Sequence, residues 1–331
     1  MTTRWLRRGT HGLVAAAVLM IASEPHGDPL ERATCSLQLM VEDLRGALRD
    51  GSPALRSYMK ILLKEAALRF PVDELEAALA AERDPEVLEA LGVALATRAS
   101  NAGEPAIIDA VVDRVRGDED PALRAAALRG LRGVGSVEML AKTREVSYAD
   151  FVRDPSPEVR AAAADNLVHE SAAVYFGHEA AVSDAAVAAA AASPDPAVTA
   201  RLLADTSMEQ VGAEAVATLM EQLGSADAGV RAAAARALGG VGGAHAEAAR
   251  RALVARYGGD AAREVRAAIL EGLVHLGLGG ARPVLESLRG VDPELGSEID
   301  AWLQVLAMNL QEWSLIQREK QRLQQQQQQQ P

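Results

Sequence analysis

The 331-residue sequence has a single cysteine, Cys35. One thiol permits no intrachain disulfide and no thiolate metal cluster, and a lone cysteine is usually a small buried hydrophobe. Aromatic residues make up only 3% of a chain that is 49% hydrophobic, so its core must be built from small aliphatic side chains. Basic residues are outnumbered, 34 against 46 acidic ones, for a net charge of −12. Beyond Arg4, Arg7 and Arg8 no basic run occurs, which argues against the cationic footprint that nucleic-acid binding requires. Apolar runs are short. The longest in the leader spans residues 13–22, below the roughly 20 residues of a comfortable transmembrane span. Glycine-rich phosphate loops, H-E-x-x-H and G-x-S-x-G motifs are also missing, and Ser147 and Asp150 have no histidine near them in sequence to complete a triad.

What the chain does contain is one phrase repeated eight times. Copies begin at Asp50, Arg83, Asp118, Asp154, Ser193, Ser225 and Asp260, with a worn copy at Val291. A marker column of Pro53, Pro85, Pro121, Pro157, Pro196, Ala228, Arg263 and Pro293 advances in steps of 30 to 39 residues. A period of this size predicts a stacked solenoid, in which each unit contacts mainly its neighbours. The column before the marker reads Ser52, Asp84, Asp120, Ser156, Asp195, Asp227, Ala262 and Asp292. Seven of these can accept hydrogen bonds from the amides of a first helical turn, and proline suits the first helical position. An aliphatic column follows two residues after the marker: Leu55, Val87, Leu123, Val159, Val198, Val230, Val265 and Leu295. Further apolar residues at helical spacing complete a buried stripe.

Five copies carry arginine next: Arg56, Arg124, Arg160, Arg231 and Arg266. Arginines spaced like the aspartates are expected to pair between neighbouring units as a structural ladder. The alternative is a charged ladder that grips an acidic ligand. The second helix of each unit is expected near residues 72–82, 106–116, 137–153, 179–192, 209–223, 244–257 and 281–288, with glycine turns at 133–135, 239–243 and 277–280 capping helix ends.

The D-x-D-P-x-[LV]-R-x-A-A-x-x-x-L pattern resembles HEAT-type repeats, specifically the short bacterial kind also called phycobilin-lyase-like HEAT repeats. The resemblance covers residues 50–306 and implies an all-α, α-α superhelix of about eight helix pairs. It also implies a scaffold or adaptor that binds another protein without catalysis. The alternative function is an enzyme or chromophore-lyase component on the same repeats, phycobilin lyase-like or deoxyhypusine hydroxylase-like. The latter family holds a di-iron centre with four His-Glu pairs a repeat apart. Here only His169–Glu170 and His178–Glu179 occur, nine residues apart, and His245 and His275 lack an adjacent acid. No catalytic, cofactor-binding or metal-ligating residues are therefore assigned.

The expected organisation is a signal peptide over 1–23, an N-terminal capping helix within 24–49, the solenoid over 50–310, and a polar helix end with a glutamine-rich tail over 311–331. Three arginines, an apolar core and then Glu24–Pro25 predict export to the periplasm or medium, with cleavage near Ser23. Retention as an inner-membrane anchor, or in the cytoplasm, is the alternative, because Ile21 sits poorly at a cleavage site. Arg32 before Cys35 breaks the pattern of a lipid-attachment site. Membrane contact is expected only through an uncleaved leader. Residues 299–323 are expected to form a C-terminal capping helix. Tyr148, Phe151, Tyr175 and Phe176 cluster where the period stretches to 39 residues, with 171–177 expected as a loop. These aromatics are the candidate interaction surface; filling a packing gap too wide for alanine is the alternative.

Overall fold

A computed structural model describes residues 36–133, 135–143, 146–173 and 179–328. The leader, Cys35, Tyr175, Phe176 and His178 lie outside the described residues, as do the last three residues of the tail. Among the described residues the chain is all-helical.

The repeat phrase forms a helix in each copy. These phrase helices are α2 (Pro53–Ala66), α4 (Pro85–Ala102), α6 (Pro121–Arg129), α9 (Pro157–Ala172), α11 (Pro196–Asp205), α13 (Ala228–Gly239), α15 (Arg263–Gly277) and α17 (Gly296–Leu306). Their starts follow from the cap column. Ser52, Asp84, Asp120, Ser156, Asp195 and Asp227 each accept a first-turn amide through the side chain. Ala262 cannot, and Asp260 accepts its amide instead at 3.0 Å.

The outer helices are α1 (Leu37–Asp50), α3 (Val72–Ala81), α5 (Asp109–Gly117), α7 (Ser136–Thr143), α10 (Glu179–Ala192), α12 (Ala213–Gln222), α14 (Ala246–Tyr257) and α16 (Arg282–Arg289), with the single turn α8 (Tyr148–Phe151) after α7. Helix α1 falls in the segment expected to hold a capping helix. It packs on α2 as the outer partner of the first unit and buries Leu37, Val41 and Leu44. Consecutive phrase helices stack on one another, and a continuous apolar core runs between the two layers. Alanine and glycine allow that stacking. A Cβ on Gly130 would stand 2.8 Å from the Cα of Gly92, and one on Gly272 would stand 2.5 Å from the carbonyl oxygen of Ala235. Both contacts are possible only without a side chain.

The structure departs from the expected boundaries at several points, among them the helix expected from residue 209, which begins only at Ala213. The helix expected over 137–153 is divided into α7 and α8, because Ser147 starts a new capping box in which its amide donates to Asp150 at 2.9 Å. Ser171 and Ala172, expected in a loop, belong to α9. The helix expected over 299–323 is two, α17 and α18 (Trp313–Gln328), separated by a turn in which Asn309 has φ +56°. In the last glycine turn it is Leu278, not a glycine, that takes the positive φ, at +43°.

Candidate functional site: ladder, inner face and cleft

Each ladder arginine lies one residue after the aliphatic column, in the first turn of its phrase helix. Four of the five repeat one geometry. One guanidinium nitrogen donates to two carbonyls just upstream, at 3.0 and 3.1 Å for Arg124 on Asp118 and Glu119, and at 2.9 and 3.0 Å for Arg231 on Ser225 and Ala226. Arg160 does the same on Asp154 and Pro155, and Arg266 on Asp260 and Ala261. At least one other nitrogen of each crosses to an aspartate of the next unit: Arg124 to Asp154 at 2.9 Å, Arg160 to Asp195 at 3.1 Å, Arg231 to Asp260 at 2.7 Å, and Arg266 to Asp292 at 2.7 Å, while the Arg160 Nε is buried without a partner. Arg56 makes only the local bond, to the Gly51 carbonyl at 3.2 Å.

The four crossing arginines are 13–14% exposed at the side chain, so the ladder is sealed into the junctions between units. Asp260 is its most protected member. Burial alone would raise its carboxyl, but hydrogen bonds from Arg231, the Ala262 amide and Arg256 outweigh that and hold it at about 2. Burial pushes Asp292 the same way, and Arg266 and Tyr257 pull it below its ordinary value. An arginine outside the column, Arg114, closes an earlier junction by donating to the carbonyls of Leu79, Ala80 and Glu82. Its position late in an outer helix gives no signal in the repeat.

The candidate aromatic surface is not a surface where it is described. Tyr148 is 1% and Phe151 5% exposed, with their rings edge-to-face at 5.8 Å. They fill the interior, as the packing alternative held. Phe151 reaches only the floor of a hollow of about 570 Å³ beside Arg124 and Asp154. The Tyr148 hydroxyl meets Ser136 at 2.6 Å and receives a bond from Asn166 at 3.3 Å. Burial, with the nearby Glu170 charge, raises its ionisation far above the ordinary phenol range. Glu170 is 3% exposed and caps α7, accepting from the Ser136 amide at 3.0 Å and the Ser136 hydroxyl at 2.6 Å. The His169–Glu170 pair therefore serves helix capping through its acid. Among the described residues no group of three or more His, Cys, Asp or Glu is arranged to hold a metal ion.

The exposed chemistry lies on the free side of the phrase helices. There a second row of charges bridges neighbours: Arg129 to Glu89 at 2.9 Å, Arg201 to Asp165 at 2.5 Å, and Arg236 to Glu271 at 2.9 Å. Arg129, Asp165, Arg236 and Glu271 all stand eight residues after the marker column, a register present in the sequence but masked there by the stronger cap and arginine columns. At its C-terminal end this row opens into a cleft of about 590 Å³ between α11, α13, α15 and α18. Glu209, Arg236, Glu271, His275, Trp313 and Gln317 line it. Trp313 stacks on His275 with ring centres 4.3 Å apart, and behind it lie Trp302 and Lys320, the ammonium 3.9 Å from the Trp302 ring. Burial lowers the His275 pKa, so the imidazole in this stack is neutral at pH 7. The aromatic wall comes from α18, whose packing against α15 no repeat column announces.

Helix pairs stacked in register, joined by bonds from each unit to the next and lacking one central core, define an α-solenoid. Residues 183–274, from within α10 to within α15, match the family model of HEAT repeats, so the solenoid carries HEAT repeats there. No curated protein matches the chain significantly.

Proposed function

We propose that the chain is a non-catalytic HEAT-repeat adaptor that receives another protein on the inner face of its phrase helices, with the cleft at α18 as the anchoring point. The observation that carries this reading is the division of labour between the two charged rows. The junction row is sealed, with its crossing arginines 13–14% exposed, whereas Arg236 is 46% exposed and stands with Glu209 and Trp313 around an open cleft. Polar groups around an aromatic anchor are what protein recognition uses. No nucleic acid and no cofactor belong to this reading. Export also belongs to the proposal: the leader over 1–23 directs the chain to the periplasm, where it acts as a soluble protein, and N-terminal sequencing of the native protein checks it. An intact Met1 in the cytosolic fraction overturns export.

The adaptor reading is tested with the full chain as bait in its native source, followed by direct binding of the recovered protein. Arg236→Ala should weaken that binding at least tenfold, while loss of its exposed pair with Glu271 lowers stability by no more than about 1 kcal/mol. Unchanged affinity removes the inner face from the function. Stoichiometric metal or a bound tetrapyrrole in the purified protein favours the enzyme alternative instead.

A further inference from the structure

In the stack, each phrase helix turns one side to its predecessor and the opposite side to its successor, and the glycine contacts identify them. Gly130 meets Gly92 of the preceding phrase helix, and Gly272 meets Ala235 of the preceding phrase helix. Both glycines stand nine residues after the marker column. With 3.6 residues per turn, positions two and five after the marker share that side. In α4, α6, α9, α13 and α15 these positions are Val87 and Ala90, Leu123 and Ala126, Val159 and Ala162, Val230 and Ala233, and Val265 and Ala268. Every one is at most 5% exposed; α11 is an exception among the stacked phrase helices, with half-buried Val198 and exposed Arg201 at these positions and Arg201 reaching back to Asp165 of α9.

Helix α2 is the first phrase helix of the described residues. Its equivalents are Leu55, 45% exposed, and Tyr58, 59% exposed, with Leu62 half-buried at the glycine position and Ile61, 55% exposed, at the edge. A terminal unit is expected to turn a polar face outward; α2 turns out an apolar seam. We propose that this seam of α2 is the contact through which two copies of the chain associate, the two α2 helices running antiparallel about a two-fold axis. Three features favour a second copy arranged in this way. Residues 55, 58 and 62 have the three-then-four spacing of a helix–helix seam. Tyr58 replaces the alanine of the repeats, so a further repeat cannot seat end-to-end on α2 at the close Ala/Gly distance, whereas two-fold pairing sets Tyr58 of each copy beside Leu62 of the other at ordinary helix spacing, about 8–10 Å. The same pairing brings the exposed Glu65 to the first turn of the other α2, where the helix dipole favours a carboxylate. The inference is independent of the adaptor reading, since a partner could bind the inner face of a monomer or a dimer.

Sedimentation velocity on the full chain tests it. A concentration-dependent dimer is expected, and Tyr58→Glu should raise its dissociation constant at least tenfold without moving the thermal melt, because the side chain is exposed. In a Cys35→Ser background, mixing Tyr58→Cys chains with Leu62→Cys chains should give a disulfide-linked pair on mild oxidation. A chain that stays monomeric to about 100 μM overturns the proposal. So does a dimer indifferent to Tyr58→Glu, and a Tyr58-dependent dimer whose mixed cysteine pair fails to link overturns the antiparallel geometry.

Discussion

Replacing Asp260 by asparagine should remove one component of the chain's sensitivity to acid, confined to a narrow window of pH. Asp260 takes Arg231 at 2.7 Å and Arg256 at 2.9 Å, accepts the Ala262 amide at 3.0 Å, and is 1% exposed at the side chain. The asparagine side chain would keep the shape and one acceptor for the amide, but would leave two guanidinium groups facing a neutral group. The Asp260 carboxyl is held at about 2 in the folded chain against 3.8 ordinarily. A depressed carboxyl contributes stability that is complete above its unfolded value and is lost as pH falls through the folded one. At about 1.4 kcal/mol per pH unit, the shift corresponds to about 2.5 kcal/mol at neutral pH. Almost full exclusion from water means that little is discounted for solvent screening. Urea denaturation followed by circular dichroism, at a series of pH values from 7 to 2, gives the difference between the parent chain and Asp260→Asn. Other carboxylates titrate in both proteins and cancel. The difference should be about 2.5 kcal/mol above pH 4 and shrink towards zero near pH 2. A constant offset across the series would show that the loss comes from geometry and would refute the electrostatic account of the ladder.

Arg160→Ala should lower the melting temperature by removing its bonds to Asp195, Asp154 and Pro155, a loss of about 1–2 kcal/mol, while binding of the partner protein persists at temperatures where the variant is folded. Loss of binding at unchanged stability would make the ladder functional. Gly272→Ala forces a Cβ to within 2.5 Å of the Ala235 carbonyl oxygen and 3.2 Å of the Leu253 side chain, so α13 and α15 must separate, at about 1–3 kcal/mol in a thermal or urea melt; Gly279→Ala, where a Cβ meets nothing within 4 Å, is the matched control. Acidification below the ordinary histidine value of 6.5 should weaken the Trp313–His275 stack, because burial favours the neutral ring. The stabilising contribution is present above that pH and lost below it. A change in tryptophan fluorescence at a pH below 6.5, abolished in His275→Phe, is the expected signature.

The phrase helices were legible because their signals are local. A cap oxygen, a proline and an aliphatic residue act within one turn, and Ser52, Asp84, Asp120, Ser156, Asp195 and Asp227 all start the helices expected of them. Arginine pairing between units was equally readable, since both partners recur with the period. The aromatics were not. Tyr148 and Phe151 are recruited into the interior by Ser136, Asn166 and Glu170, which belong to other helices, and no local pattern encodes that meeting. The cleft was hidden for the same reason, since its wall is Trp313 of α18 folded back on His275 of α15. The turn at Asn309 that permits the fold-back shows only as a positive φ at a residue tolerant of it.

The ladder bonds span 30 residues between Arg124 and Asp154, 35 between Arg160 and Asp195, 29 between Arg231 and Asp260, and 26 between Arg266 and Asp292. The same junction therefore forms whatever the length of the outer helix and turns that intervene. The units beginning at Asp154 and Asp260 each carry the donor for the next junction and the acceptor for the previous one, like a coupling with a hook at one end and an eye at the other. Duplicating or deleting either of these two units leaves every remaining hook opposite an eye. A gene encoding such a chain can lengthen or shorten its product by recombination between copies without inventing a single new contact, and a drift in unit length of the kind seen here is tolerated for the same reason.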